Sequence, residues 1–98
     1  MKNPYTGYTE KQHCRGYFAR NGAGFLVEAN DPTACQWCPI GVLQRENIPM
    51  DIIRNFWEYI NANRPHSIVV LNDRYRWTFA QFRKAWTEFM RSKKKARS

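Results

Sequence analysis

The segment from Thr78 to Ser98 constrains the fold of this chain more than any other part of the sequence. Its large apolar residues recur at the spacing of one helical face, and they are Phe79, Phe82, Trp86, Phe89 and Met90. Thr78 and Gln81 have the spacing of a capping box, and Trp77 is placed to pack on Phe82 as a hydrophobic staple. The pattern predicts a long amphipathic helix whose aromatic face packs inward.

Positive charge is concentrated in the last part of this helix. The chain of 98 residues contains 16 Lys and Arg against eight Asp and Glu, for a net charge of +8. Residues 91–98 hold five of the basic groups and no acid, which leaves eleven basic against eight acidic groups in residues 1–90. The five are Arg91, Lys93, Lys94, Lys95 and Arg97. We expect a single compact domain over 1–90 and a basic tail over 91–98 that continues the helix and attracts an anionic partner.

Length, hydropathy and cysteine content indicate the class of protein. An aromatic content of 15% supplies bulky rings for one core, which a disordered chain would lack. No apolar run approaches the roughly 18 residues that span a bilayer, and the first residues lack the hydrophobic segment of a signal peptide. Three cysteines, an odd number, fit a reducing compartment. We therefore expect a soluble, cytoplasmic protein that does not bind membranes.

Helix-start signals upstream predict three further helices, which span about 9–21, 39–46 and 49–63. A second capping box opens the first of them, and Asn21-Gly22 would end it. Its inner face would then carry Cys14, Tyr17 and Phe18 into the core. Pro39 fits the first turn of the second helix, where a missing N–H costs nothing.

Two short strands are expected beside the helices. Phe25–Glu28 is one candidate, and the β-branched run Ser67–Leu71 is the other. Asn72 and Asp73 follow the second strand, and such side chains hydrogen-bond nearby backbone groups, so we expect them to set the turn into the last helix. The predicted fold class is α+β, mainly helical, with about four helices and a small two-stranded β element.

The stretch Cys35-Gln36-Trp37-Cys38 has the spacing of half a zinc site. His13, Cys14 and His66 are the candidates for the other half, although His13 and Cys14 are adjacent, which makes a poor chelating pair, and His66 stands alone. Cys38 also precedes Pro39 at a predicted helix N-terminus, where the helix dipole lowers a thiol pKa and favours redox chemistry. The alternative is that the cysteines are small buried apolar groups, as free cysteines usually are. We expect no cofactor, with zinc as the alternative.

Basic and aromatic residues are interleaved in two segments, which are Arg15, Tyr17, Phe18 and Arg20, and Arg74, Tyr75 and Arg76. Exposed rings beside arginines stack on unpaired bases while the guanidinium groups meet phosphates. In the first segment we expect the rings to be core residues, whereas the second has the character of a surface loop. The sequence contains no phosphate-loop, dinucleotide-binding, nucleophile-elbow or zinc-protease motif, so we expect a protein that is not an enzyme and has no catalytic residues.

Two motifs in order resemble those of a small uncharacterised domain of bacteria and bacteriophages. They are Cys38-Pro39-Ile40-Gly41-Val42-Leu43 and, after a helix, Ser67-Ile68-Val69-Val70-Leu71-Asn72-Asp73, followed by a helix that a threonine opens. The hallmarks of that domain are Cys-x-x-Gly-Ala-Leu and Trp-Asn-Asp, so Val42 replaces an alanine here and Leu71 a tryptophan. The resemblance covers nearly the whole chain. It implies the fold and a bacterial or phage origin, with the host cytoplasm as the location, but no chemistry.

Three hypotheses for the function remain open. The first is a non-enzymatic interaction protein, phage-like or bacterial, that binds and modulates a protein target such as a host enzyme or a defence complex, in the manner of an inhibitor. The second is a nucleic-acid-binding module that uses Arg74, Tyr75, Arg76 and the basic tail. The third is a small zinc-binding protein anchored by Cys35 and Cys38.

Overall fold

The structure, a computed structural model, describes the backbone of residues 3–97 and the side chains of residues 3–93. Its elements in chain order are a 3₁₀-helix Glu10–Gln12, strands β1 Ala19–Asn21, β2 Leu26–Val27 and β3 Ala34–Trp37, and helices α1 Pro39–Arg45, α2 Met50–Asn63, α3 Ile68–Asp73 and α4 Phe79–Arg97. The fold is α+β and has four α-helices, as predicted, but its antiparallel sheet has three strands and not two. No helix of the described residues is long and apolar enough to cross a membrane.

The predicted helix over residues 9–21 is wrong beyond its first turn. Gln12 Oε1 accepts from the Thr9 N–H at 2.9 Å, as a capping box requires, but the 3₁₀-helix ends at Gln12. Gly16 adopts a positive φ of 88°, and the chain then enters β1. β1 is the central strand of the sheet, in which the strand order is β2-β1-β3. Asn21 Oδ1 accepts from two backbone N–H groups of the turn, so Asn21-Gly22 opens a β-hairpin and does not end a helix.

The second strand prediction is also wrong, because residues 68–73 form helix α3. Ser67 caps this helix, and its Oγ accepts from the Val70 N–H at 3.4 Å. Ile68 and Leu71 lie three residues apart and are both buried, which is helical spacing. Burial of this face overrides the strand preference of the β-branched residues, a preference that is weak and depends on context.

Helix α4 packs its aromatic stripe into the core, as the sequence predicts. The Thr78 N–H donates to Gln81 Oε1 at 2.8 Å, which confirms the capping box, and the rings of Trp77 and Phe82 lie 5.1 Å apart, which confirms the staple. Four residues of the stripe are buried and Met90 is partly buried. Trp86 stacks edge-on against Phe56 of α2 at 5.0 Å. Each buried ring contributes about 1.5–3 kcal/mol, so α4 is a firm part of the body.

Helix α1 is positioned by a close backbone approach at Gly41. Cys38 caps the helix, and the Gly41 N–H donates to its Sγ at 3.2 Å, while Pro39 occupies the first turn as predicted. A Cβ on Gly41 would lie 2.1 Å from the carbonyl oxygen of Phe18, which in turn accepts from the Cys38 N–H at 3.0 Å. The glycine therefore lets the 16–18 segment run directly across the start of α1.

Candidate interaction surface

The two segments that mix arginines with aromatic residues are far apart in the sequence but lie against each other in the structure. The Arg15 Nε donates to the carbonyl of Asn72 at 2.9 Å, and its Nη2 donates to the carbonyl of Trp77 at 3.1 Å. The Gly16 N–H donates to Asp73 Oδ1 at 2.9 Å. We call the contact between segments 13–18 and 72–77 the junction, and its hydrogen bonds join residues 57 to 62 positions apart.

Asn72 is the buried centre of the junction. Its Nδ2 donates to the carbonyl of Cys14 at 3.2 Å and to Asp73 Oδ1 at 3.1 Å, and its Oδ1 accepts from His13 Nε2. The other ring nitrogen of His13 lies 3.1 Å from the Glu10 carboxylate. The structural role expected for Asn72 and Asp73 is therefore present, but their partners are mainly the distant 13–16 segment and not the neighbouring turn.

An apolar groove of about 220 Å³ opens beside the junction. Its inner wall consists of the buried residues Cys38, Pro39, Ile40 and Ile68, and Trp57 of α2 lies alongside them. Three apolar side chains form its rim and remain exposed, Tyr17 at 39%, Phe18 at 41% and Val69 at 45% of their surface. We call this feature the aromatic groove.

The expectation that Tyr17 and Phe18 are core residues is wrong. It assumed a helix through this segment, whereas the chain is irregular from Cys14 to Phe18 and turns both rings outward. The two rings lie 5.6 Å apart and contact each other at the surface. Exposed aromatic rings that form a patch beside an apolar cavity are typical of an interaction site.

Cys38 lines the groove but is a poor nucleophile. Burial raises the pKa of its thiol to about 11, and this effect outweighs the backbone hydrogen bonds from Gly41 and Ile40 at the start of α1, which lower it. The redox interpretation required the helix N-terminus to lower that pKa. It does not apply, because a neutral buried thiol has little thiolate to react.

The predicted zinc ligands do not converge. Among the described side chains, no group of three or more His, Cys, Asp or Glu residues is arranged to hold a metal ion. Residues Cys35 to Cys38 are extended, which separates the two Cα atoms by about 10 Å. Two cysteines that bind one zinc ion instead need a turn between them, which brings both sulfurs to about 2.3 Å from the metal. Cys35 is exposed whereas Cys14 and Cys38 are buried, and His13 is bonded within the junction.

The loop from Arg74 to Arg76 is exposed, as predicted for a surface contact. Arg76 has a positive φ of 54°, which sharpens the bend into α4. The Tyr75 ring is half exposed and stacks on His66 with the ring centres 4.4 Å apart. One face of the tyrosine is thus covered by the imidazole, and the loop offers one aromatic face between two arginines.

The outer face of α4 carries a second basic surface, which includes residues that the sequence analysis missed. Arg83, Lys84 and Arg91 are exposed on this face, and the acidic Glu88 is paired with Arg64 at 3.1 Å. Lys84 and Arg91 lie opposite the aromatic stripe and Arg83 borders it, so the helical spacing that predicted the stripe also marks these basic residues. We call this surface the basic face of α4.

The predicted binding residues fall at opposite ends of α4. Arg74, Tyr75 and Arg76 precede the helix, whereas Arg91 lies about 20 Å along it from Thr78, at 1.5 Å per residue. Lys93 is half buried, with its Nζ 5.5 Å from the centre of the Phe89 ring. The side chains of Lys94, Lys95 and Arg97 lie outside the described set. Of the described side chains, Arg91 and Lys93 are therefore not brought into one site with the loop.

Comparisons with known proteins gave no further guide. The sequence matches no protein-family model, and it has no match among curated proteins or solved structures. The resemblance to the small bacterial and phage domain therefore stays a prediction. The two features of the structure that bear on function are the aromatic groove and the basic face of α4.

Proposed function

We propose that this chain is a small non-enzymatic interaction protein that binds and modulates a macromolecular target, such as a host enzyme or a defence complex in a bacterial cell, through the aromatic groove. The observation that carries the proposal is the exposed rim of Tyr17, Phe18 and Val69 around an apolar interior. Aromatic side chains and arginines around a pocket are the usual composition of the energetic centre of a protein interface.

The polar groups at the groove support a binding role over a chemical one. Asn72 uses both its amide hydrogens and its oxygen within the junction, and one oxygen of Asp73 accepts from two partners there. Burial keeps the pKa of Cys38 at about 11. These groups hold the walls of the groove in place, and a target would meet the apolar rim that they position.

A capture experiment tests the proposal. Tagged protein is incubated with bacterial lysate at moderate salt, with and without nuclease, and compared with the variants Phe18→Ala and Phe25→Ala. Both phenylalanines are exposed, but only Phe18 lines the groove, so Phe25→Ala is the matched control. We expect wild type and Phe25→Ala to retain the same protein bands and Phe18→Ala to lose them. If nuclease removes everything that wild type captures, the proposal is wrong.

Nucleic-acid binding is the second candidate, and the charge of α4 favours it. The helix contains seven of the 16 basic residues of the chain and one of its eight acids. Its aromatic face is buried against the core, so no large apolar group among its described side chains is exposed for insertion into a bilayer. The phosphates of nucleic acid are a partner that a polar basic face fits without insertion.

Charge reversal tests this second candidate. Arg83→Glu and Arg91→Glu change the basic face of α4, and Arg54→Glu on the exposed side of α2 is the matched control. If the face binds phosphates, both α4 variants weaken retention on a DNA column and lower the salt needed for elution, while the control elutes much nearer to wild type. Equal effects of all three variants would instead indicate attraction to net charge alone.

A further inference from the structure

We infer that the aromatic groove receives one large apolar side chain from an acidic segment of a protein partner. The inference rests on the proposed function and specifies the chemistry of the partner at that same site. Two observations carry it, namely the apolar, internally bonded interior of the groove and the arginines that border it.

The interior of the groove favours an apolar side chain. Its inner wall is formed by Cys38, Pro39, Ile40 and Ile68, and the Cys38 Sγ already accepts from the Gly41 N–H. A polar group entering the groove would lose its bonds to water, and the side chains of the inner wall offer it no new partner, which is unfavourable. The volume of about 220 Å³ is also below the roughly 300–1,000 Å³ of small-molecule sites, so it suits a single side chain better than a separate ligand.

The charges at the border favour an acidic partner. Arg15 precedes the lining residue Gly16, and its guanidinium donates to two uncharged carbonyls, so its charge is not neutralised there. Arg74 follows the lining residue Asp73 and is exposed. Arg20 and Arg15 both act electrostatically on the Cys14 thiol behind the rim, where they oppose Asp73.

Arg15, Arg20 and Arg74 therefore outnumber Asp73, the one acidic residue that lines the groove, and the Oδ1 of that aspartate is held by the Gly16 N–H and Asn72 Nδ2. A partner that places carboxylates beside its apolar anchor complements this surface in charge and is steered to it. Nucleic acid complements the charge equally well, but the polar edge of a base would remain unpaired inside the groove. The interior, and not the charge, is what decides between the two.

A peptide selection tests the inference directly. A displayed library of random peptides is selected on immobilised wild-type protein near physiological salt, with depletion on the variant Val69→Glu. We expect the enriched sequences to share one large apolar residue flanked by Asp or Glu. A synthetic peptide of that sequence, the same peptide with alanine at the apolar position, and a single-stranded DNA oligonucleotide are then compared by fluorescence anisotropy.

Matched variants separate the groove from the rest of the surface. Val69 and Met50 are both exposed apolar residues on helices, but only Val69 lines the groove. We expect Val69→Glu to weaken the peptide about tenfold or more, because an anchor of this kind is worth more than about 1.4 kcal/mol, and Met50→Glu to have little effect. Arg74→Glu should weaken it severalfold, and Arg91→Glu, at the far end of α4, should not. Phe18→Ala is a second groove variant if Val69→Glu fails to fold.

Each other outcome overturns the inference. Enriched peptides without acidic residues, no common sequence at all, or equal binding to Val69→Glu and Met50→Glu would each show that the stated partner is wrong. Displacement of the peptide by the DNA oligonucleotide, with tighter binding of the DNA, would assign the groove to nucleic acid. If capture from lysate depends on Phe18 while the selected peptides lack acids, this inference fails and the proposed function stands. If capture does not depend on Phe18, the proposed function itself fails.

Discussion

The aromatic groove and the basic face of α4 are built in different ways. The groove needs backbone and side-chain contacts between segments up to 62 residues apart, and its walls come from the junction, α1, α2 and α3. The basic face of α4 belongs to a single helix, and its exposed side chains need only that helix to be docked. A change in the groove is therefore expected to alter stability and binding together, whereas a change on the basic face should alter binding alone.

Among the substitutions that test this contrast between the groove and the basic face, Gly41→Ala is expected to lower the stability of the protein the most. The new Cβ would lie 2.1 Å from the Phe18 carbonyl oxygen, so the 16–18 segment and α1 must separate. We expect a loss of roughly 2–4 kcal/mol in the free energy of unfolding, measured by urea denaturation, and weaker peptide binding at the groove.

Gly22→Ala is the control for this glycine. Nothing lies within 4 Å of its Cβ position, and its φ is not in the left-handed region, so we expect a change of less than about 0.5 kcal/mol. Equal stability of the two variants would mean that the segment before β1 moves freely over α1. The groove would then have no fixed wall on that side.

The second effect concerns the thiols. Cys35 is exposed, and Cys38 has a pKa raised by burial to about 11. At pH 8 we expect a thiol reagent to label Cys35 rapidly and Cys38 about a hundredfold more slowly than an ordinary exposed thiol, because each pKa unit lowers the thiolate fraction tenfold. The slow rate should rise with pH up to about 11. Fast labelling that survives Cys14→Ser and Cys35→Ser together, which leave Cys38 as the one remaining thiol, would show that the inner wall of the groove is open to solvent.

The third effect is expected from Asn72→Ala. The substitution leaves the buried Cys14 carbonyl and His13 Nε2 without their partner, at a cost of roughly 1–3 kcal/mol. Asn55→Ala, on the exposed side of α2, is the matched control and should change stability little. Urea denaturation measures both. If Asn72→Ala is as stable as the control, the junction is not held by this amide, and another contact has to explain why the two segments meet.

Elements with their signals inside one short stretch were predictable. The Thr78 cap and the Pro39 helix start are local chemistry, and the structure has α4 and α1 there, while α2 ends at Asn63 as its predicted span of 49–63 requires. Residues 9–21 and 67–71 were predicted wrongly because their state depends on distant partners. β1 is a strand since it pairs with β3, and α3 is a helix since Ile68 and Leu71 are buried.

The same difference between local signals and contacts of distant segments decides which of the two surfaces was predictable. The charge of α4 is visible in the sequence, because its basic residues lie on one helix and helical spacing places Lys84 and Arg91 opposite the buried rings. The groove was not predictable. Tyr17 and Val69 meet at one rim through the contacts of the junction, such as that of Gly16 with Asp73, and no local pattern in either segment specifies a partner 57 residues away. Mixed arginines and aromatics marked both segments but not their contact.

The smallest effect on stability is expected from deleting residues 91–98. The buried stripe of α4 ends at Phe89, with Met90 partly buried, and of the described side chains that the deletion removes, Arg91 and Ser92 are exposed and Lys93 contacts the Phe89 ring. We expect the free energy of unfolding, measured by urea denaturation, to fall by less than about 1 kcal/mol. The affinity of the groove for the selected peptide should stay unchanged. Retention on a DNA column should fall strongly, because five of the basic groups are lost.

Replacing the same five residues by glutamine is the control, since it keeps the helix and removes the charge. If the deletion unfolds the protein while the glutamine variant stays folded, the last turns of α4 stabilise the body through their backbone, and the basic face is then not independent of the core.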